Sequence, residues 1–149
     1  MPELPEVETI CSALAKRVVG LFIKQVVLRT AKLRQCLPPL DDLLPNSQIC
    51  AVARRAKYLL ITLDRGTLII HFGMSGRLRL MPDYYAPTKH DHIDWILSNR
   101  TVLRFNDPRR FGDVVWSEQD PFHHPCLAKL GPEPLSSTAH AADYLSCPA

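Results

Sequence analysis

YLLITLDRGTLIIHF, residues 58–72, is the stretch that decides the fold class. Two apolar, β-prone runs, Tyr58–Leu63 and Thr67–Phe72, flank Asp64-Arg65-Gly66, and so short a connection reads as a hairpin. The pattern recurs downstream, where Ile93–Leu97 and Thr101–Phe105 flank Ser98-Asn99-Arg100. Phe22–Arg29 and Asp113–Ser117 read as further strands, and the Pro/Asp/Leu stretch at 37–47 reads as a loop. Several short strands joined by hairpins predict a mainly β (α+β) domain built as a β-sandwich or a barrel-like core.

One helix is expected, packed on that sandwich at the amino end. Val7, Ile10, Cys11, Leu14 and Val18 form a single apolar stripe at the 3.6-residue period. Pro5 suits the first turn and Gly20 the position just past the end. Glu6 and Glu8 fall near the positive end of the helix dipole.

With 46% hydrophobic and 22% charged residues in 149, the composition is that of an ordinary globular domain. The roughly 18 consecutive apolar residues of a membrane span are missing. The start has acids and prolines where a signal peptide needs basic and apolar stretches. The expectation is a cytoplasmic protein without a membrane partner. Cys11, Cys36, Cys50, Cys126 and Cys147 are odd in number and lack a C-x-x-C pair, which argues against a disulfide framework or a zinc pattern. They are expected to be small buried hydrophobes without chemistry. Residues 1–111 carry 17 Lys/Arg against 10 Asp/Glu, whereas residues 112–149 carry one against five. That clustered positive field suits a polyanion, nucleic acid first.

Five segments carry chemistry-bearing residues. Pro2 becomes an amino-terminal secondary amine once Met1 is removed. A free α-amino group titrates near 7.7–8.0 against about 10.4 for lysine, so far more of it is nucleophilic at neutral pH. Amines of this kind act through Schiff bases, and Glu3 beside it can supply a proton. Lys57, in Arg54-Arg55-Ala56-Lys57-Tyr58, suits a phosphate contact or proton transfer, and equally a solvated strand-entry lysine. Gly73-Met74-Ser75-Gly76 holds an apolar side chain between two turn-permitting glycines. Such a tip is either a wedge for a base stack or a turn with its methionine in the core. Asn106-Asp107-Pro108-Arg109-Arg110-Phe111-Gly112 offers planar guanidinium forks and a stacking face. In Lys89-His90-Asp91-His92-Ile93-Asp94, alternation puts His90 and His92 on one strand face without a third metal ligand. Phosphate contact or a structural hydrogen bond suits either histidine better than metal.

Six segments in order resemble one family, the bacterial formamidopyrimidine-DNA glycosylases: PELPEVET at 2–9, RRAKYL at 54–59, HFGMSG at 71–76, KHDHID at 89–94, DPRRFG at 107–112 and LGPEPL at 130–135. The resemblance implies a bifunctional base-excision enzyme that acts on double-stranded DNA bearing a damaged base or an abasic site. It would release oxidised purines such as 8-oxoguanine and formamidopyrimidine, then cut the strand by β,δ-elimination. Pro2 is implied as the nucleophile, Glu3 as the ring-opening acid and Lys57 as the group assisting elimination. Met74, Arg109 and Phe111 match residues that fill the gap left by the flipped base, and His90 and Arg109 match DNA-backbone contacts. The reaction needs no cofactor, and a monomer is expected.

Residues 1–135 are implied to be the amino-terminal catalytic domain and 136–149 the start of a linker. The family's helical domain and zinc finger would follow, so no metal ligand set is expected before Ala149. A chain without that half is expected to show little glycosylase activity and weak, salt-sensitive DNA binding. The alternatives are a non-catalytic DNA-binding remnant of the same fold and an oxidised-pyrimidine enzyme of the endonuclease VIII branch.

Overall fold

Antiparallel hydrogen bonding runs without a break through eight strands in the order β5-β7-β6-β1-β2-β3-β4-β8. The structure, a computed structural model, describes residues 4–118. In chain order the elements are α1 (Leu4–Val18), β1 (Phe22–Leu28), α2 (Leu40–Leu43), β2 (Ser47–Arg55), β3 (Tyr58–Leu63), β4 (Gly66–His71), β5 (Arg77–Pro82), β6 (Asp91–Leu97), β7 (Thr101–Asn106) and β8 (Asp113–Ser117).

The sheet is pinched in the middle. β1 and β2 share only the pairs Phe22↔Gln48 and Ile23↔Ser47. Bulges flank the pinch on both strands, between Ile23 and Gln25 and between Ile49 and Ala51. A bulge bends its strand and flips the inward parity, which lets a sheet turn a corner. Inward residues of both halves accordingly fall in one buried cluster: Val52, Leu59, Ile61, Leu68 and Ile70 with Trp95, Leu103 and Phe105. The result is the expected β-sandwich. The α1 stripe of Val7, Cys11, Leu14 and Val18 joins the same cluster, with the helix lying mainly against β2.

The half-sheet β2-β3-β4-β8 is apolar on its other face too. Ala53, Leu60, Ile69 and Val115 lie in register across it, and the first three are buried. Strands buried on both faces read as near-continuous apolar runs, which is why residues 58–72 stand out in the sequence.

Two strands were not anticipated. β2 passes through Cys50, Ala51 and Ala53, whose small side chains give little β signal. β5 alternates exposed Arg77 and Arg79 with inward Leu78 and Leu80, and its arginines masked the pattern. Part of the expected 37–47 loop is the single turn α2. Cys36 is exposed, against the expectation that the cysteines are small buried hydrophobes. Cys11 does fit it, since burial first, and the Glu8 charge next, push its thiol up to about 11. The boundary expected at 135 lies outside the described residues.

A buried charge cluster ties the β1-β6-β7 half together. Asp94 accepts from Arg104 Nε at 2.8 Å and Nη2 at 3.0 Å, and from Arg29 Nη2 at 2.7 Å. Burial pushes the Asp94 carboxyl up, but the Arg29 and Arg104 hydrogen bonds outweigh it and hold the group below the ordinary range. Arg104 also donates to the Tyr85 and Ala86 carbonyls, which fastens the β5–β6 loop onto the sheet. Breaking such a pair from one side leaves an uncompensated buried charge. Asp94→Asn is therefore expected to lower stability by about 3 kcal/mol in urea unfolding. The parent should lose this contribution only as pH falls through the depressed Asp94 pKa.

Candidate active site and nucleic-acid interface

The site is built at one rim of the sandwich, where the β2–β3, β4–β5 and β7–β8 connections meet. Pro2 and Glu3 lie outside the described residues, directly before α1. The early turns of α1 are anchored by Val7 in the core and by an ion pair from Glu8 to Arg54 Nε. Arg54 Nη1 also donates to the Ala56 carbonyl at 3.0 Å. One arginine thus clamps the start of the helix to the turn that carries Lys57.

That turn is tight. Arg55 pairs with Tyr58, so Ala56 and Lys57 form the whole connection, and Ala56 takes φ 52°. Lys57 is half-buried there. Across the sheet Tyr58 pairs with His71, with ring centroids 5.0 Å apart. Burial, then the Arg34 and Lys57 charges, push the His71 pKa below its ordinary value, with Asp113 pulling the other way. The Gly73 amide donates to His71 Nδ1 at 3.3 Å, which is the neutral ring with its proton on Nε2. His71 was not singled out from sequence, because at the end of an apolar run it reads as strand. Its cue is the HFGMSG context, which puts an imidazole next to the glycine turn.

Three residues beyond His71, Met74 stands 49% exposed at the loop tip, and Phe111 is 45% exposed on the neighbouring loop. The wedge alternative therefore fits Met74, and the core alternative does not. Arg109 lies over the Phe111 ring at 5.3 Å. The two loops touch backbone to backbone. Gly73 has φ 63°, and a Cβ there would come within 2.5 Å of the Phe111 carbonyl carbon. Met74, Arg109 and Phe111, singled out separately in sequence, are thus brought to one spot.

The histidines separate. β6 begins at Asp91, so His90 precedes the strand and is half-buried, whereas His92 is buried within it. Their rings remain neighbours at 6.4 Å. His92 Nε2 donates to the Asp107 carbonyl at 2.9 Å, the structural hydrogen bond foreseen as one of its two uses. The His90 carbonyl accepts from the Asp107 amide at 3.1 Å, which ties its segment to the Arg109 loop. Arg34, also not singled out as a site residue, reaches this rim because its amide donates to the Gly112 carbonyl at 3.2 Å. Among the described residues no group of three His, Cys, Asp or Glu side chains could hold a metal.

The structure is thus a β-sandwich domain whose rim presents two exposed apolar side chains, Met74 and Phe111, beside a cationic turn. The chain belongs to the formamidopyrimidine-DNA glycosylase N-terminal domain family, whose model matches residues 1–114. It is 51% identical to the formamidopyrimidine-DNA glycosylase of Shewanella amazonensis, over 97% of this chain and 53% of that protein. It is also 51% identical to that of Geotalea uraniireducens, over 97% and 54%. The chain thus spans about half the length of these curated relatives. Among solved structures it resembles Lactococcus lactis Fpg (MutM) in complex with Fapy-dG-containing DNA, with TM-score 0.71 and 31% identity over 78% of this chain and 45% of that one. The same enzyme with DNA containing an oxidised pyrimidine matches with TM-score 0.71 and 33% identity over 79% and 46%.

The Gly73 contact gives a direct check on the rim. Gly73→Ala is expected to cost about 2 kcal/mol in thermal unfolding, from left-handed strain plus the backbone clash.

Proposed function

We propose that the chain is the lesion-reading and catalytic half of a bifunctional formamidopyrimidine-DNA glycosylase and abasic-site lyase, which begins base-excision repair of oxidised purines. The observation that carries this reading is the joint exposure of Met74 and Phe111 on fused loops, next to the Lys57–His71 rim. Two large apolar side chains held in water at a cationic edge suit insertion into a DNA stack.

The chemistry follows from the residue types. Extruding a base costs about a few kcal/mol of lost stacking and pairing, and Met74, Arg109 and Phe111 would occupy the vacancy. The Pro2 nitrogen attacks C1′ of the sugar and the glycosidic bond breaks, releasing the base. Glu3 protonates the ring oxygen, the sugar opens, and an iminium forms between Pro2 and C1′. The iminium acidifies the C2′ proton, whose removal expels the 3′ phosphate, and a second elimination expels the 5′ phosphate. Lys57 would steady the phosphate and assist proton transfer, with His90 and Arg109 on the backbone. No step requires a cofactor. The enzyme would act as a monomer in the cytoplasm, at the nucleoid.

The oxidised-pyrimidine alternative keeps a place as part of the lesion range, because the Lactococcus lactis relative was solved with such DNA. A panel of lesion duplexes ranks the two. Borohydride trapping on a duplex with a ready-made abasic site tests the lyase. The 149-residue chain with Met1 removed should become covalently linked through Pro2, and chain retaining Met1 should not. An unlinked chain with a free Pro2 would instead establish the non-catalytic DNA-binding remnant.

His71 adds a pH dependence. A phosphate beside Lys57, Arg34 and His71 favours the charged imidazole, so binding should take up a proton. Affinity for abasic duplex is then expected to strengthen as pH falls below the ordinary histidine value of about 6.5, and His71→Gln should flatten that slope in fluorescence anisotropy. In the free chain the sign is opposite. A depressed histidine stabilises the fold above its unfolded pKa and loses that contribution as pH falls.

A further inference from the structure

Asp107 is fully buried, and its carboxylate accepts from the loops that carry Met74 and Phe111. Its Oδ1 accepts from Ser75 Oγ at 2.6 Å and from the Arg110 amide at 3.1 Å, and its Oδ2 accepts from the Gly112 amide at 2.8 Å. Ser75 Oγ, donating to Asp107, accepts in turn from the Arg109 amide at 3.1 Å. The Asp107 backbone joins the His90 carbonyl and His92 Nε2. One carboxylate and one hydroxyl therefore link the Met74 loop to the Arg109–Phe111 loop, and the Asp107 backbone adds the His90 segment. An ionised carboxylate has acceptors only, so all three donors are aimed inward and the exposed side chains outward. Gly112 leaves no slack, because a Cβ there would come within 2.8 Å of Asp107 Oδ2 and of the His71 carbonyl oxygen.

We propose that Asp107, acting through Ser75, is a positioning residue that locks the two loops so that Met74 and Phe111 enter DNA as a single preset wedge. This rests on the reading of the chain as a DNA-base-flipping enzyme. Locking the loops before encounter removes the ordering cost at insertion. It also makes the two side chains energetically dependent on each other, as residues sharing one network are.

The test uses the 149-residue chain and a duplex holding a tetrahydrofuran abasic analogue opposite 2-aminopurine, whose fluorescence reports unstacking. The parent should raise that fluorescence on binding. Met74→Ala and Phe111→Ala should each weaken binding, and the pair should weaken it by much less than the product of the singles. In the Ser75→Ala background binding should fall about tenfold, the scale of a hydrogen bond left unmade. There the Met74→Ala and Phe111→Ala effects should become multiplicative, while Ser75→Thr restores both affinity and coupling. A merely structural Ser75 would lower affinity without changing the coupling.

Coupling that persists in Ser75→Ala overturns the proposal and leaves the functional reading standing. A parent that saturates the duplex without perturbing the 2-aminopurine removes the functional reading and this inference with it. Hydrogen exchange on the free parent needs no variant: the Arg109 and Gly112 amides should be protected like strand amides. Exchange at open-loop rates would mean that the wedge is not preset, and the proposal falls.

Discussion

A hairpin apolar on both faces has only one way to exist in water, with something covering each side. β3 and β4 impose that constraint on the chain. Leu59, Ile61, Leu68 and Ile70 demand the opposite half-sheet, and Leu60 and Ile69 demand cover behind. The pinch at β1–β2 and its two bulges are the local distortions that let one continuous ladder satisfy the inner face by folding over itself. α1 packs its stripe into the same cluster, so the helix start is positioned by the core rather than by its own weak helical propensity.

The rim inherits its geometry from that core. The β2–β3, β4–β5 and β7–β8 connections leave the same end of the sandwich, which brings Lys57, Met74 and Phe111 together from distant parts of the chain. What turns proximity into a defined surface is polar: the clamp of the buried Arg54 on Glu8 on one side and the hydrogen bonds of the buried Asp107 on the other. Met74 and Phe111, the side chains proposed to enter DNA, are exposed, whereas Arg54 and Asp107 are buried.

Legibility in the sequence follows the same division. The α1 stripe and the 58–72 and 93–105 hairpins were readable because periodicity and turn residues report burial directly. β2 was not, since Ala51 and Ala53 carry too little apolar signal, and β5 was not, since Arg77 and Arg79 draw attention to charge rather than alternation. Among site residues, Lys57, Met74, Arg109 and Phe111 were visible as unusual types in turn contexts. His71 and Asp107 were not, because their importance lies in whom they touch across the fold: His71 beside Tyr58 and the Gly73 amide, Asp107 beneath two loops. The contacts of His71 with Tyr58 and of Asp107 with Ser75 span the fold and leave no local pattern.

Among the described residues, β5 closes the ladder on one side, and it ends at Pro82 with Arg77 and Arg79 facing water. A row of unsatisfied backbone groups would otherwise invite another copy to add its own strand. Two like charges and a ring that cannot donate make such growth unfavourable. Crowding of many copies on the proposed polyanion would therefore not let the bare sheet margin seed fibrils.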